Sequence, residues 1–324
     1  MHRNQTSEIV TNQFAEDVHD GLSSSFKNLP SKYFYDDEGS RLFQKIMDLP
    51  EYYLTNCEFD ILQTQSVNIF KALNFNSHFN VVELGAGDGT KTIELLKALT
   101  AVEADFTFIP VDISSEAISI LDHKVKAVLP SVDVKSKVGD YYEVLEEIRT
   151  DKSPSLVLFL GSNIGNYAHS EAIELLKLIQ EELRANDKLL IGFDLKKNPN
   201  IIAPAYNDAS GVTKAFNMNL LARINQELGG NFNLNQFDFY SHYNPETGAV
   251  KSYLTSLEKQ DVHLDEINNT YHFEKNELVF TELSKKYSIV EIEEMASQTG
   301  FVCSKHFMDS KNFFSDSLLC KKEQ

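Results

Sequence analysis

Hydrophobic residues follow two different patterns along the chain, and the pattern changes near residue 79. Before that point the apolar residues have helical spacing, as in Phe14, Val18 and Leu22. From there to Asp194, short apolar runs alternate with amphipathic segments. Near-continuous apolar strands separated by helices are typical of a parallel sheet covered on both faces. The pattern therefore predicts an α/β domain preceded by helices.

Apolar runs and amphipathic runs give the predicted elements of this domain. The predicted strands are 80–87, 106–114, 132–140, 155–163 and 188–195, and the predicted helices are 91–100, 114–129 and 170–183. Upstream, a short helix is predicted over 40–47, and its docking face is Leu42, Phe43, Ile46 and Met47. Tyr33 and Tyr53, on either side of this helix, are expected to have structural roles only. Another helix should begin near Thr55, because Thr55 and Glu58 have the spacing of a capping box.

The strand–helix alternation stops after Asp194, where the chain enters a different kind of segment. A predicted helix over 213–228 is followed by runs with two-residue alternation, which predict antiparallel strands. These runs are 237–243, 249–258 and 277–287, and the turn NPETG at 244–248 joins the first two as a hairpin. The segment is therefore predicted to be an α+β insertion.

The alternation resumes at Ser288, which has capping-box spacing to Glu291 at the start of a predicted helix. Two strands joined by a short turn follow, at 301–310 and 313–322. The sheet domain is thus predicted as two pieces, and the insertion is expected to form a second domain with the N-terminal segment. The predicted sheet domain is 59–196 with 288–324, and the second domain is 1–58 with 197–287.

Charge and cysteine content exclude several classes of protein. The net charge is −18, from 48 acidic and 30 basic residues, so the surface should repel nucleic acid and anionic membranes. Cys57, Cys303 and Cys320 are too few and too scattered for a disulfide framework, and no cluster has metal-ligand spacing. The polar N-terminus does not resemble a signal peptide, and no apolar run is long enough for a membrane span. We expect a cytoplasmic monomer without a metal.

A glycine-rich turn in the stretch VVELGAGDGTKT, 81–92, indicates a cofactor site. Glu83 lies near the end of the predicted strand, and Gly85, Gly87 and Gly89 follow with GxGxG spacing. This spacing suits S-adenosylmethionine, because that cofactor has no pyrophosphate to place on a helix N-terminus. Asp112 ends the next strand, where an acid can reach ribose hydroxyls.

Two further strand ends extend this predicted cofactor edge. Asp140 follows the third strand, where a carboxylate can accept the adenine amine, and the stretch FLGSNIGN places Gly161 and Asn166 after the fourth. Ligands bind at the carboxyl ends of strands in open α/β sheets. Two other interpretations stay open: the glycines could only make turns, and Asp112 could only cap the next helix. A nicotinamide oxidoreductase would use the same sheet, but the GxGxxG spacing is missing.

Five stretches resemble the histidine-specific Nα-methyltransferases of ergothioneine biosynthesis, in the right order over nearly the whole chain. They are KYFYDDEGSRLFQKIMDLPEYYLTNCE, ELGAGDGTKT, FLGSNIGN, AYNDASGVTKAFNMNLLARIN and TELSKKY. The resemblance implies a Rossmann-like class I methyltransferase core, a mostly parallel seven-stranded sheet with an antiparallel C-terminal strand, plus an α+β substrate-binding domain. It also implies S-adenosylmethionine-dependent methylation of L-histidine to the trimethylated betaine hercynine.

The resemblance further implies roles for individual residues. Gly85 and Lys91 would contact the methionine part of the cofactor, Asp112 the ribose, and Asp140 with Tyr141 the adenine. Asn166 and Tyr206 would hold the substrate's α-amino and carboxylate groups, Glu282 and Ser284 would bind the imidazole, and Tyr35 and Tyr52 would line the cavity. With the turn residues Glu83, Gly87 and Gly161, these are the candidate site residues. Tyr35 is the candidate proton acceptor, and Asn166 would orient the amine.

Three positions depart from the family pattern. Ser252 stands where methionine is expected against the imidazole, Tyr141 where phenylalanine is common, and Lys285 where cysteine is expected. Ser252 could enlarge the side-chain pocket, so another aromatic amino acid, such as a tryptophan derivative, is the alternative substrate. Glu282 favours histidine, because a carboxylate is a strong acceptor for a ring N–H. A binding protein that kept the fold without catalysis is a further alternative.

Overall fold

The computed structural model describes residues 3–139 and 141–322, which divide into two compact units. Unit 1 comprises 1–53 and 197–284, and unit 2 comprises 54–196 and 285–324. The first division falls at the start of a long helix that runs through position 58. A boundary at 58, as the sequence indicated, would cut that helix.

The helices are α1 (Arg3–Ser23), α2 (Asp37–Met47), α3 (Tyr53–Leu73), α4 (Thr92–Ala101), α5 (Ser115–Val128), α6 (Tyr141–Thr150), α7 (His169–Glu182), α8 (Pro199–Ala205), α9 (Val212–Leu228) and α10 (Ile289–Gln298). The strands are β1 (Phe79–Leu84), β2 (Phe106–Asp112), β3 (Asp133–Val134), β4 (Lys137–Val138), β5 (Ser155–Phe159), β6 (Lys188–Asp194), β7 (Phe237–Asn244), β8 (Ala249–Ser256), β9 (Gln260–Leu264), β10 (Asn269–Phe273), β11 (Leu278–Lys285), β12 (Phe301–Met308) and β13 (Phe314–Lys321).

Unit 2 is built on one sheet with the strand order β12-β13-β6-β5-β1-β2-β3, and β4 also pairs with β2. Because β3 and β4 both pair with β2, they occupy the place of one interrupted edge strand. The neighbours from β6 to β4 are parallel, whereas β13 is antiparallel to both β6 and β12. The predicted mostly parallel seven-stranded sheet with one antiparallel C-terminal strand is confirmed.

Apolar side chains on both faces of this sheet explain why its strands read as continuous hydrophobic runs. Every residue of β1 and β5 is buried. Val82, Val157 and Ile191 pack in one core with Leu176 of α7 and Met295 of α10. The strand order places the carboxyl ends of β5, β1 and β2 side by side, and these ends position the candidate cofactor residues.

Unit 1 contains a three-stranded antiparallel sheet, β11-β8-β7, and a separate hairpin, β9-β10. Buried and less buried residues alternate along the whole of β8 and along β11 as far as Glu282, which matches the predicted two-residue pattern. Phe14 of α1, Phe34, Phe216 of α9 and Leu254 of β8 share the core of this unit. The β9–β10 hairpin and helix α8 were not predicted, because their runs are only five to seven residues long.

Helix starts depend on caps, and one predicted cap is wrong. Helix α3 begins at Tyr53, and the carboxylate of Glu58 does not bond back to its own helix start but accepts hydrogen bonds from Gly161 and Lys91. The capping box of Ser288 and Glu291 is confirmed at α10. Within the described ranges, no helix is both long and apolar enough to cross a membrane.

Candidate functional site

The glycine-rich turn after β1 forms the centre of the candidate cofactor edge in unit 2. Gly85 and Gly87 both have positive φ, 71° and 55°, a backbone conformation that favours glycine. A Cβ built on Gly87 would meet no atom within 4 Å, so the space above this turn is open. The turn can therefore let a ligand approach the backbone closely.

Asp112 at the end of β2 ties this turn to the neighbouring strand. Its Oδ2 accepts a hydrogen bond from the Gly87 N–H at 2.9 Å, and its Oδ1 accepts one from the Ser114 N–H at 2.9 Å. Ser114 itself caps α5, so Asp112 supports the helix start without being the cap. Each carboxylate oxygen has two lone pairs, so both can still accept a ligand hydroxyl.

Lys91 precedes α4 and carries the positive charge of this edge. Its ammonium forms an ion pair with the buried Glu58 carboxylate. Desolvation would lower the pKa of Lys91, but the charge and hydrogen bond of the Glu58 carboxylate outweigh it and raise the pKa. The ammonium is therefore charged at neutral pH and keeps two further N–H donors for a ligand.

Glu83 lies at the end of β1 but points into the protein interior. Its Oε1 accepts a hydrogen bond from the Thr92 hydroxyl, and among the described residues its Oε2 has no hydrogen-bond partner. Burial raises the pKa of Glu83 to about 8, against the opposing effects of Thr92 and Lys91. This residue therefore stands beneath the cofactor turn as a mostly protonated acid at neutral pH.

The turn after β5 adds the third part of the edge. The Gly161 N–H donates to Glu58 Oε1 at 2.7 Å, and a short 3-10 helix, Asn163–Asn166, follows. Asn166 at its end is exposed. Asp140 lies outside the described residues, as does the side chain of Tyr141, so both adenine contacts stay predictions.

Unit 1 gathers the predicted substrate residues around aromatic rings. Tyr35 packs edge-on against Phe43 and Phe216, with ring centroids 5.5 and 5.7 Å apart. Phe43 also contacts Tyr52 at 6.2 Å, and Tyr52 contacts Tyr206 at 6.3 Å. The sequence had assigned Phe43 only to the docking face of α2, whereas the ring links two predicted site tyrosines.

Polar groups of β11 lie at one end of this aromatic cluster. The hydroxyls of Tyr206 and Ser284 are hydrogen-bonded at 2.9 Å. Glu282 lies two residues before Ser284 on the same strand, so the two side chains point to the same side. Partial desolvation raises the pKa of the Tyr35 phenol, and the nearby Glu282 carboxylate raises it further. Glu282 therefore lies within electrostatic range of Tyr35.

Ser252 occupies a buried position on β8, only 1% exposed, opposite Ser241 of β7.

The two remaining tyrosines of the N-terminal stretch have other partners. The Tyr33 hydroxyl donates to Asp17 at 2.8 Å, and the Tyr53 hydroxyl accepts from Lys197 at 3.0 Å. These contacts agree with the expectation that Tyr33 and Tyr53 have structural roles.

Glu58 is the site residue that sequence reasoning missed, because its spacing to Thr55 suggested a helix cap. The available signal in the sequence was an acidic residue on an otherwise apolar helix face. No group of three or more His, Cys, Asp or Glu side chains that could hold a metal ion occurs within the described part of the chain.

Comparison with known proteins identifies the family. Residues 14–321 match the family described as "Histidine-specific methyltransferase, SAM-dependent". The histidine N-alpha-methyltransferase of Mycolicibacterium smegmatis is 34% identical over 302 residues, 93% of each chain. That of Mycobacterium tuberculosis is 33% identical over 305 residues, 94% of each chain. An L-tryptophan methyltransferase of Psilocybe serbica is 26% identical over 313 residues, 88% of this chain and 86% of that one. The chain therefore belongs to the family of histidine-specific, S-adenosylmethionine-dependent methyltransferases.

Proposed function

We propose that this protein transfers methyl groups from S-adenosylmethionine to the α-amino nitrogen of L-histidine, as far as the trimethylated betaine hercynine. Family membership over almost the whole chain supports the reaction class. The observation that supports histidine as the substrate is the pair of polar side chains on β11. Glu282 lies two residues before Ser284, and the Ser284 hydroxyl is hydrogen-bonded to that of Tyr206. A carboxylate and a hydroxyl at one wall offer an acceptor and a donor to an imidazole ring.

The residues of the cofactor edge fit S-adenosylmethionine. Lys91 presents an ammonium for the carboxylate of the methionine part, and Asp112 presents acceptors for ribose hydroxyls. The open space above Gly87 leaves room for the ligand between them. Bound S-adenosylmethionine supplies a methyl group attached to a sulfonium sulfur. The sulfur is the leaving group, and its positive charge means that it needs no further activation.

The same turn fits a nicotinamide dinucleotide poorly. The Gly87 N–H, which a pyrophosphate would need, is donated to the Asp112 carboxylate. A phosphate at this position would face a carboxylate in place of a free amide, and like charges repel. The oxidoreductase alternative therefore loses its physical basis at this turn.

Methyl transfer requires a neutral, aligned amine, and the proposed roles of Tyr35 and Asn166 follow from this requirement. The raised pKa keeps the Tyr35 phenol neutral, so its oxygen can accept a hydrogen bond and relay a proton without acting as a strong base. The Asn166 side-chain carbonyl can accept from the same kind of amine without adding charge. We propose that two factors remove the proton from the amine. Desolvation beside the sulfonium cation disfavours the charged amine, and the Tyr35 phenol relays the proton away.

The aromatic rings suit a substrate that gains methyl groups. Each methylation removes an N–H donor, and the final product is a quaternary cation. Aromatic faces attract such a cation without needing N–H donors. The rings of Tyr35 and Tyr52, which both contact Phe43 in unit 1, therefore suit the trimethylated product.

An amino-acid panel tests the proposed function. The protein is incubated with S-adenosylmethionine and each of the twenty amino acids, and mass spectrometry records mass gains of one to three methyl groups. Histidine should gain three methyl groups. A mass gain on tryptophan or another amino acid, but none on histidine, would overturn histidine as the substrate. The small buried Ser252 would then be the structural reason. Binding of S-adenosylhomocysteine without any mass gain would overturn the enzyme.

A further inference from the structure

A buried carboxylate on α3 joins two separate parts of the cofactor edge. Glu58 is 1% exposed, its Oε1 accepts the Gly161 N–H at 2.7 Å, and its Oε2 accepts the Lys91 ammonium. Gly161 follows β5, whereas Lys91 follows the glycine turn of β1. One side chain therefore fixes a backbone amide and a cation that belong to neighbouring strand ends.

The strand beneath Glu58 is shaped to admit it. A Cβ at Gly192 of β6 would overlap Glu58 Oε1 and would lie 3.0 Å from the ring of Phe314. Only glycine at position 192 leaves room for the carboxylate in this orientation. The observed orientation of Glu58 therefore depends on the absence of a side chain at position 192.

A second buried acid lies next to this pair. Asp316 of β13 is opposite Gly192 in the sheet register and is fully buried, and in the described structure neither of its carboxyl oxygens has a hydrogen-bond partner. Burial raises its pKa well above the ordinary value, and the negative charge of Glu58 adds to this shift. The surroundings of Asp316 therefore disfavour its ionised form, next to the ion pair of Glu58 and Lys91.

We propose that Glu58 is a positioning residue for cofactor binding, which acts by holding Lys91 and the Gly161 turn in their binding arrangement. This inference rests on the proposed function, since it assumes that S-adenosylmethionine binds at this edge. A lysine side chain loses rotamer entropy when it is fixed, which costs free energy. Because Glu58 holds Lys91 in the free protein, this entropy is lost on folding and not on binding. The ligand therefore binds a preorganised ammonium.

The alternative is that Glu58 only holds α3 in place within unit 2. Asp60 on the same helix provides the comparison, because its Oδ2 accepts the Ser310 N–H at 2.8 Å in the turn between β12 and β13. Both acids bind a backbone amide of unit 2, but only Glu58 contacts the cofactor edge. Asp60→Asn is thus the matched control for a purely structural role.

The test measures S-adenosylhomocysteine affinity by calorimetry in the full chain and in Glu58→Gln, Lys91→Met and the double variant. Glu58→Gln keeps an acceptor oxygen for Gly161 but removes the charge that holds Lys91. We expect its affinity to fall about tenfold, the scale of a charged hydrogen bond. In the Lys91→Met background the same change should have little effect, because Glu58 acts through Lys91.

Kinetics provide the second measurement. In Glu58→Gln the KM for S-adenosylmethionine should rise, while kcat at saturating cofactor and the KM for histidine stay unchanged. Gly192→Ala, which displaces the carboxylate without altering it, should reproduce the loss of affinity even if Glu58→Gln does not fold. Asp60→Asn should leave the affinity at the wild-type value.

Three results would overturn the inference: wild-type affinity in Glu58→Gln, additive losses in the double variant, or an equal loss in Asp60→Asn. A wild-type chain that binds no S-adenosylhomocysteine would instead contradict the proposed function. The two failures are therefore distinguishable.

Discussion

Replacing Glu83 by glutamine should stabilise the protein, and the gain should grow as the pH rises from 5 to 7. Glu83 is 3% exposed, and only its Oε1 has a hydrogen-bond partner among the described residues, the Thr92 hydroxyl. Burial raises the pKa of its carboxyl from the ordinary value of 4.5 to about 8. A glutamine has nearly the same shape, can accept from Thr92, and never has to be ionised.

The direction of the effect follows from proton linkage. The folded protein holds the Glu83 proton more tightly than the unfolded chain does, so stability is highest below pH 4.5 and falls as the pH rises through about 8. With these two pKa values, Glu83 costs roughly 1 kcal/mol at pH 5 and roughly 3 kcal/mol at pH 7. The stability difference between Glu83→Gln and the wild type should therefore grow by about 2.5 kcal/mol between these pH values.

Urea denaturation followed by circular dichroism at pH 5, 6 and 7 measures this difference for both proteins. Glu116→Gln is the control, because Glu116 is an exposed acid in the first turn of α5 in the same unit. It should change stability by the same small amount at each pH. A difference between Glu83→Gln and the wild type that stays constant with pH would refute the reasoning, since Glu83 would then be ionised normally.

Three further changes separate binding, chemistry and packing. Glu282→Ala should lower kcat/KM for histidine about ten- to hundredfold, the scale of a charged hydrogen bond, with S-adenosylhomocysteine affinity unchanged in calorimetry; equal losses in both would mean that Glu282 is structural. Tyr35→Phe should keep the ring contacts with Phe43 and Phe216, and hence the melting temperature, while slowing methyl transfer; full activity would remove the hydroxyl from the mechanism. Gly165→Ala should cost about 1–3 kcal/mol in urea denaturation, because its Cβ would lie 2.6 Å from the Lys285 carbonyl oxygen; an unchanged midpoint would mean that this backbone shifts freely.

The sheet of unit 2 was predictable because its strands are buried on both faces. Runs such as 80–84 and 155–159 are mostly apolar and are buried at every position. Their polar residues are Asn80, Glu83 and Ser155. The third strand was predicted as one element but forms two pieces, β3 and β4, with Lys135 and Ser136 between them. Few of its residues are buried, so the sequence carried little information on its continuity.

The candidate site was predictable where backbone geometry demands a residue type, and less so where tertiary contacts decide. Gly85 and Gly87 were evident because positive φ at a strand end favours glycine. Glu58 and Phe43 were assigned to a helix cap and to a docking face, because spacing within one helix does not show what a side chain meets elsewhere in the fold. Glu58 meets Gly161, which is 103 residues away in the sequence, and Phe43 meets Phe216 of α9, with ring centroids 5.8 Å apart.

The two ends of the insertion meet at one place, with a consequence for how this architecture can change. Leu195 and Tyr287 form a parallel bridge, and Lys286 is paired with Asp194 at 2.8 Å where both side chains are fully buried. The chain thus leaves unit 2 and returns to it at adjacent backbone positions, as segments that tolerate exchange between proteins do. Insertions and deletions between these two points leave the register of β6 and β13 untouched. Residues 197–284 can accordingly change in length or sequence as one continuous segment, while the strand pairing of the unit 2 sheet is kept.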